Sequence, residues 1–117
     1  ATAEALGVTP SAVSQQLALS WAEVESARAI TYRAAAAARH DPLASLDLTS
    51  IAKVSATEAA GRVVDRAVQV MGRFGLIRGS KIERLYRNAR PGRIYEGATE
   101  VLLDSLARKL VKGAASS

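Results

Sequence analysis

The sequence has no cysteine, one histidine, one methionine and one tryptophan in 117 residues, and its aromatics amount to 4%. Without cysteine there are no disulfides and no thiolate metal sites, and a lone His40 cannot form a histidine cluster; no metal site is expected. The lack of cysteine fits a reducing compartment, and a cytoplasmic location is expected. Long apolar runs are also missing, and none approaches the ~20 residues of a membrane span. The first residues lack a basic stretch followed by an apolar one, so no signal peptide is read. Hydrophobic residues still make up 49%, and Ala dominates them, so the expected core is one of small side chains on closely packed helices. The formal net charge of +5 favours anionic partners: nucleic acid, an acidic membrane surface or a phosphate-rich cofactor.

Periodicity predicts helices throughout and no sustained period-two alternation. Thr9-Pro10 supplies a hydroxyl for an N-cap and a proline for the first helical position, opening a helix to about residue 39. Val13, Leu17, Trp21, Val24, Ala27, Thr31 and Ala34 draw one apolar stripe along it. Asp41-Pro42 ends it, leaving His40 at a helix end where a cation suits the dipole. A second helix is predicted from about Ser50 to Met71, with Asp47, Thr49 or Ser50 as caps, Glu58, Arg62 and Arg66 on its wet side, and Gly72 and Gly75 closing it. A last helix is predicted from about Gly97 to Lys112, with Val101, Leu102, Leu106 and Leu110 inward and Lys109 and Lys112 in its last turn; residues 113–117 are expected to fray. The reading is one all-α domain over residues 1–117, an antiparallel bundle of three helices, with residues 1–8 an atypical extension.

Between residues 73 and 93 lie seven basic residues and one acid, Glu83. Arg84, Arg87, Arg90 and Arg93 recur every third position, which on a helix makes a slanting ridge of guanidiniums. Such a ridge is either a solvated face with partners in the chain or a face for phosphate, which Arg binds in a bidentate manner. Nucleic acid fits less well, because only Tyr86 and Tyr95 interleave and no base-stacking pattern emerges.

Three blocks carry a family resemblance. Gln69-Val-Met-Gly72-Arg-Phe-Gly75-Leu76 is followed by Lys81-Ile-Glu-Arg-Leu-Tyr-Arg-Asn-Ala-Arg90 and then by Arg93-Ile-Tyr-Glu-Gly97. In order and spacing they resemble the C-terminal signature of acyl-CoA dehydrogenases, and residues 24–35 resemble the first long helix of that region. The resemblance implies three helices of that family's C-terminal four-helix bundle. It also implies FAD as cofactor, an acyl-CoA substrate oxidised to the trans-2-enoyl-CoA, and a dimer or tetramer of the chain. Glu96 takes the place of the catalytic base, whose backbone N–H is also one of two donors to the thioester oxygen. Tyr95 is implied in substrate binding, Gly97 and Glu100 in contact with the cofactor, and Gln69, Gly72 and Gly75 in contact with the FAD of a neighbouring subunit. The isolated chain is expected to be inactive, because the family's other domains supply much of the site. The sequence departs from the pattern at Arg73, where a second Gly is usual, at Gly79, near a usual acid, and at Ala98, where Thr is usual.

Residues 3–18 resemble something else, the helix-turn-helix of LysR-type regulators, with Gly7-Val-Thr as turn and Pro10-Ser-Ala-Val-Ser opening a recognition helix. They carry no Lys or Arg for phosphate contacts, so DNA binding is not expected. The alternatives left by the sequence are a catalytic domain of a flavoenzyme, a non-catalytic oligomerising fragment and, less favoured, a DNA-binding protein.

Overall fold

The computed structural model describes residues 11–116. They form α1 (Ala12–His40), α2 (Leu46–Met71), α3 (Lys81–Ala89) and α4 (Thr99–Ser116), with short 3-10 turns at Gly72–Leu76 and Arg90–Arg93. The all-α expectation holds, with a fourth helix, α3, inside the arginine-rich stretch.

Local chemistry sets the boundaries. The first helix starts at Ala12, later than the Thr9-Pro10 reading, and Thr9 itself lies outside the described residues. Ser11 is extended (φ −146°), and it exchanges hydrogen bonds with Ser14: each hydroxyl accepts from the other's backbone N–H, at 3.4 and 2.6 Å. Of the stretch resembling a helix-turn-helix, residues 3–10 lie outside the described residues. The rest is the beginning of a helix that runs unbroken for 29 residues. His40 closes α1, as its dipole favours.

The second helix begins at Leu46, and neither Asp47, Thr49 nor Ser50 caps it. The connection is held instead by side chains turned inward on the loop. Asp41 Oδ1 accepts from the Ala44 N–H at 3.1 Å, and the Ser45 hydroxyl donates to the Pro42 carbonyl at 3.0 Å. At its other end Gly72 takes φ +60° and donates its N–H to the carbonyls of Val68 and Gln69. A residue with a Cβ is strained there, so the glycine stops the helix as expected. Ser80 then caps α3 by accepting from the Glu83 N–H, while Glu83 reaches back to the Gly79 N–H.

The central element is α2, against which α1, α3, α4 and both turns pack. Its seam with α1 is the expected one of small residues: the buried apolar side chains among the described residues are Ala34, Ala52 and Ala59. Among the described residues no large side chain is fully buried. The α1 stripe read from the sequence is mostly uncovered, with Leu17 at 60% and Trp21 at 71% exposure. Helix α1 turns an overlapping face to α2, one that keeps Ala27 and Ala34 of the stripe and adds Ser20, Glu23 and Ile30. The fourth helix departs from expectation in the same way. Leu102 and Leu106 are half-buried, but Val101 and Leu110 face out. It also runs to Ser116, past the expected end at Lys112, and Lys109 pairs with Asp47 at 2.6 Å. With extents of 56 × 30 × 27 Å, the chain is too elongated to wrap its apolar faces around one core.

Candidate active site

The segment from Arg93 to Thr99 joins the second 3-10 turn to α4 and carries Tyr95, Glu96 and Gly97. Two of its residues have positive φ: Glu96 at 52° and Gly97 at 98°. Glycine accepts this freely, but for glutamate it is an unusual conformation that the surroundings must hold. A Cβ on Gly97 would also meet Leu102 Cδ2 at 3.1 Å. Glu96 is exposed, and Tyr95 beside it keeps 59% exposure.

What holds the segment comes from α2. Lys53 Nζ donates to two carbonyls, Tyr95 O at 3.0 Å and Gly97 O at 2.7 Å, one on each side of Glu96. One turn and a half along the same helix, Glu58 Oε1 accepts from Arg93 Nε at 2.8 Å and from the Thr99 hydroxyl at 2.9 Å. Lysine grips the middle of the segment and glutamate its two ends. Gly92 is buried against this face: a Cβ there would lie 3.3 Å from Thr57 Cγ2 and 4.0 Å from Tyr95 Cε1.

Glu58 and Arg62 do not sit on a merely wet side, and neither does Arg66. Arg62 donates to Glu23 of α1 at 2.6 Å, and Arg66 pairs with the other oxygen of the same carboxylate. The Arg66 hydrogen bond is the main reason that the Glu23 carboxyl lies below the ordinary glutamate value; partial burial opposes it and Arg62 adds to it. Burial pushes the Glu58 carboxyl up, but hydrogen bonds from Arg93 and Thr99 and the charges of Arg93 and Arg62 outweigh it and leave it lowered. Glu83 is lowered too, chiefly by Arg87 and then by the Gly79 N–H. Carboxyls depressed in the folded chain contribute stability above the unfolded glutamate value, and that stability is lost as pH falls through it and through the folded values. The expected melting temperature is therefore flat from neutral pH to mild acid and falls below about pH 4.3. A Glu23→Gln, Glu58→Gln double variant should show a weaker acid dependence in the same thermal scans, and an unchanged slope would contradict this origin.

The arginine ridge is broken by the geometry. Arg84 and Arg87 lie on α3, whereas Arg90 and Arg93 lie on the 3-10 turn that follows. Arg87 pairs with Glu83, and Arg93 is taken up by Glu58. Arg90 and Arg93, with Arg62, Glu58, Asp65 and Tyr86, line an open cleft of about 370 Å³.

Of the residues assigned to the cofactor, Gln69 and Gly72 stand exposed at the end of α2, and a Cβ on Gly72 would meet nothing within 4 Å. Gly75 is different. It is buried, and a Cβ would lie 3.1 Å from both Cα and O of Val68. The close approach of the turn to the helix backbone therefore already favours glycine here. Glu100 is exposed in the first turn of α4. The structure brings Tyr95, Glu96, Gly97 and Glu100 together at one segment and leaves Gln69, Gly72 and Gly75 at the far end of α2. Sequence reasoning missed Lys53 and Thr99, and it gave Glu58 and Arg93 no part in the site. A lysine within the otherwise apolar Ile51-Ala-Lys-Val54 run was the available signal for Lys53.

Among the described residues no helix is long and apolar enough to cross a membrane, and no cluster of acids and His suits a metal ion. The family model for the acyl-CoA dehydrogenase C-terminal domain matches residues 5–111. The cyclohexane-1-carbonyl-CoA dehydrogenase of Geobacter metallireducens is 34% identical over 103 residues, covering 88% of this chain and 27% of that protein. The mitochondrial short-chain specific acyl-CoA dehydrogenase of Sus scrofa is 36% identical over 76% of this chain and 22% of its own length. The 3-(aryl)acrylate reductase of Clostridium sporogenes is 46% identical over 54% of this chain and 17% of its own. The chain thus spans about a quarter or less of the length of these relatives. The family match takes in nearly the whole helical chain, including the Arg93–Thr99 segment and the helix that grips it, and the chain belongs to the acyl-CoA dehydrogenase family of oxidoreductases as a C-terminal domain.

Proposed function

We propose that this chain supplies the catalytic base and part of the flavin contact to an α,β-dehydrogenation of acyl-CoA thioesters, with Glu96 as the base. The observation that carries the reading is the held, left-handed backbone of an exposed glutamate, flanked by two carbonyls that one lysine secures. In the reaction a Glu96 carboxylate oxygen takes the α-proton of the thioester, and the β-hydrogen leaves with its electron pair. The C–H electrons at the α-carbon become the new double bond, giving the trans-2-enoyl-CoA. FAD, when bound, supplies the acceptor for that hydride. Tyr95, exposed beside Glu96, would contact the substrate, and the Glu96 backbone N–H donates to the thioester oxygen as negative charge develops there.

The residues present fit an edge contact with the cofactor rather than an enclosing pocket. Gln69 offers an exposed amide and Gly72 an open backbone face, and Arg73 next to them adds a cation stacked 5.2 Å over Phe74. The Gly72 N–H is already used in ending α2, so phosphate there would meet the side chains of Gln69 and Arg73. By the family resemblance, Gln69, Gly72 and Gly75 would contact the FAD of a neighbouring subunit, whereas Gly97 and Glu100 would contact FAD from the segment that carries Glu96. The uncovered apolar residues of α1, with Leu17 and Trp21 foremost, support self-association into a dimer or tetramer.

Two measurements test this reading. The isolated chain with added FAD should associate in light scattering yet leave butyryl-CoA and octanoyl-CoA unchanged, because a base without a positioned acceptor cannot complete the reaction. Placed in a full-length acyl-CoA dehydrogenase in exchange for the corresponding region, the domain should support flavin bleaching by an acyl-CoA. A graft that retains FAD but is bleached by neither thioester, or a chain that stays monomeric, would overturn the corresponding part of the proposal.

A further inference from the structure

The carbonyl that Lys53 holds at 3.0 Å belongs to the peptide unit whose other edge is the Glu96 N–H. In a trans peptide the C=O and the N–H point in opposite directions across one plane. With the Tyr95 oxygen drawn toward Lys53 on α2, the Glu96 N–H is turned away from α2. It finds no acceptor among the described residues, although its neighbours Ile94 and Tyr95 both donate to Pro91 O. Lys53 itself is half-buried and makes no ion pair among the described residues; its contacts across the fold are the two carbonyls. A cation on a carbonyl oxygen draws electrons from the peptide nitrogen and makes the attached N–H a stronger donor.

We propose that Lys53 is a positioning residue that fixes and polarises the Tyr95–Glu96 peptide, so that the Glu96 N–H is presented ready-made to the oxygen of a substrate carbonyl. This rests on the reading of Glu96 as the residue at the reacting centre. It adds a reason for the strained backbone. The positive φ of Glu96, followed by that of Gly97, lets the Tyr95 and Gly97 carbonyls converge on one ammonium. A single side chain thereby orients both the donor and the residue that carries the base. The bond to Gly97 O, the shorter of the two, keeps the segment from rotating back to an ordinary loop conformation.

The inference is tested with Lys53→Met, which keeps length and apolar bulk and removes the charge, and Lys53→Arg, which restores a cation and donors. In the 117-residue chain, the amide proton resonance of Glu96 should move upfield in the Met variant and return most of the way in the Arg variant. In a full-length enzyme carrying this domain, the carbonyl stretch of a bound enoyl-CoA should shift toward its value in water. Flavin reduction in a single turnover should slow about 10–100-fold, less than the loss of a whole oxyanion donor. If Lys53→Met does not fold, Lys53→Gln, a neutral donor, should give an intermediate shift in both spectra. An unmoved amide resonance and carbonyl stretch overturn the inference, and so does a rate loss that merely parallels loss of FAD or of melting temperature. A Glu96→Gln enzyme separates the two proposals. With its N–H intact it should keep the carbonyl shift while losing turnover; if it still bleaches flavin normally, the base assignment falls, whereas a normal Lys53→Met enzyme with a dead Glu96→Gln enzyme defeats the role of Lys53 alone.

Discussion

In a full-length enzyme carrying this domain, Glu96→Gln is expected to retain FAD and to reduce it with acyl-CoA more slowly by ~10²–10⁴ or more in a single turnover. On the transition-state scale that is about 3–5.5 kcal/mol. Gln preserves the side-chain shape, and an amide side chain is no harder to hold at a φ of 52° than a carboxylate, so the backbone of the segment should survive. The bonds that fix it run from Lys53 to backbone carbonyls and from Glu58 to Arg93 and Thr99, and none involves the Glu96 side chain. The substitution therefore removes a basic oxygen and little else. Glu96→Asp is the companion variant. It keeps the carboxylate but withdraws it by one methylene, and a displacement of about 1 Å at a reacting group costs on the order of 10²-fold. A merely structural glutamate gives the reverse pattern: weaker FAD retention, a lower melting temperature and nearly unchanged bleaching per bound flavin.

The helices were legible because their signals are local. Periodicity placed α1 and α2, Asp41-Pro42 ended one of them and Gly72 the other, and each stop rests on a backbone angle that the sequence encodes directly. The starts were less legible. Ser11 and Ser14 cap each other in a pattern that Thr9-Pro10 mimics, and the loop before α2 is closed by Asp41 and Ser45 rather than by a cap on the helix. Which side of α1 packs was legible only in part: Ala27 and Ala34 of the stripe lie on the packed face, whereas Leu17 and Trp21 do not. An apolar stripe shows that a surface needs covering without saying by what, and here the seam with α2 uses alanines and the Glu23 pairs instead. The family motif pointed to Glu96 by sequence order alone. What surrounds that residue depends on contacts 35 to 44 positions apart, between α2 and the segment before α4. A lysine and a glutamate on an amphipathic helix look like solvated charge until the fold lays a loop across them.

Glu58→Ala is expected to lower stability by about 2 kcal/mol (range ~1–3). Coulomb attraction is the smaller part of this, since the side chains of Glu58 and Arg93 keep 24% and 37% exposure and water screens them. The larger part is what the deletion leaves behind. Thr99, buried at 7% exposure, loses its carboxylate acceptor, and its remaining oxygen, the Arg93 carbonyl, is a marginal 3.5 Å away. Asp104→Ala provides the comparison. Its bond to Arg108 is equally short at 2.9 Å, but the two side chains are 62% and 80% exposed and four residues apart on one helix, which predicts ~0.3–0.5 kcal/mol. In thermal melts Glu58→Ala should lose about 4–12 °C and Asp104→Ala about 2 °C or less. Amide hydrogen exchange should localise the first loss to residues 93–99, where both ends of the segment are released together, and leave the α1–α2 seam protected. Equal melting temperatures for the two variants, or exchange that rises along α1 instead, would mean that Glu58 is a surface charge and that the segment around Glu96 is held by Lys53 without it.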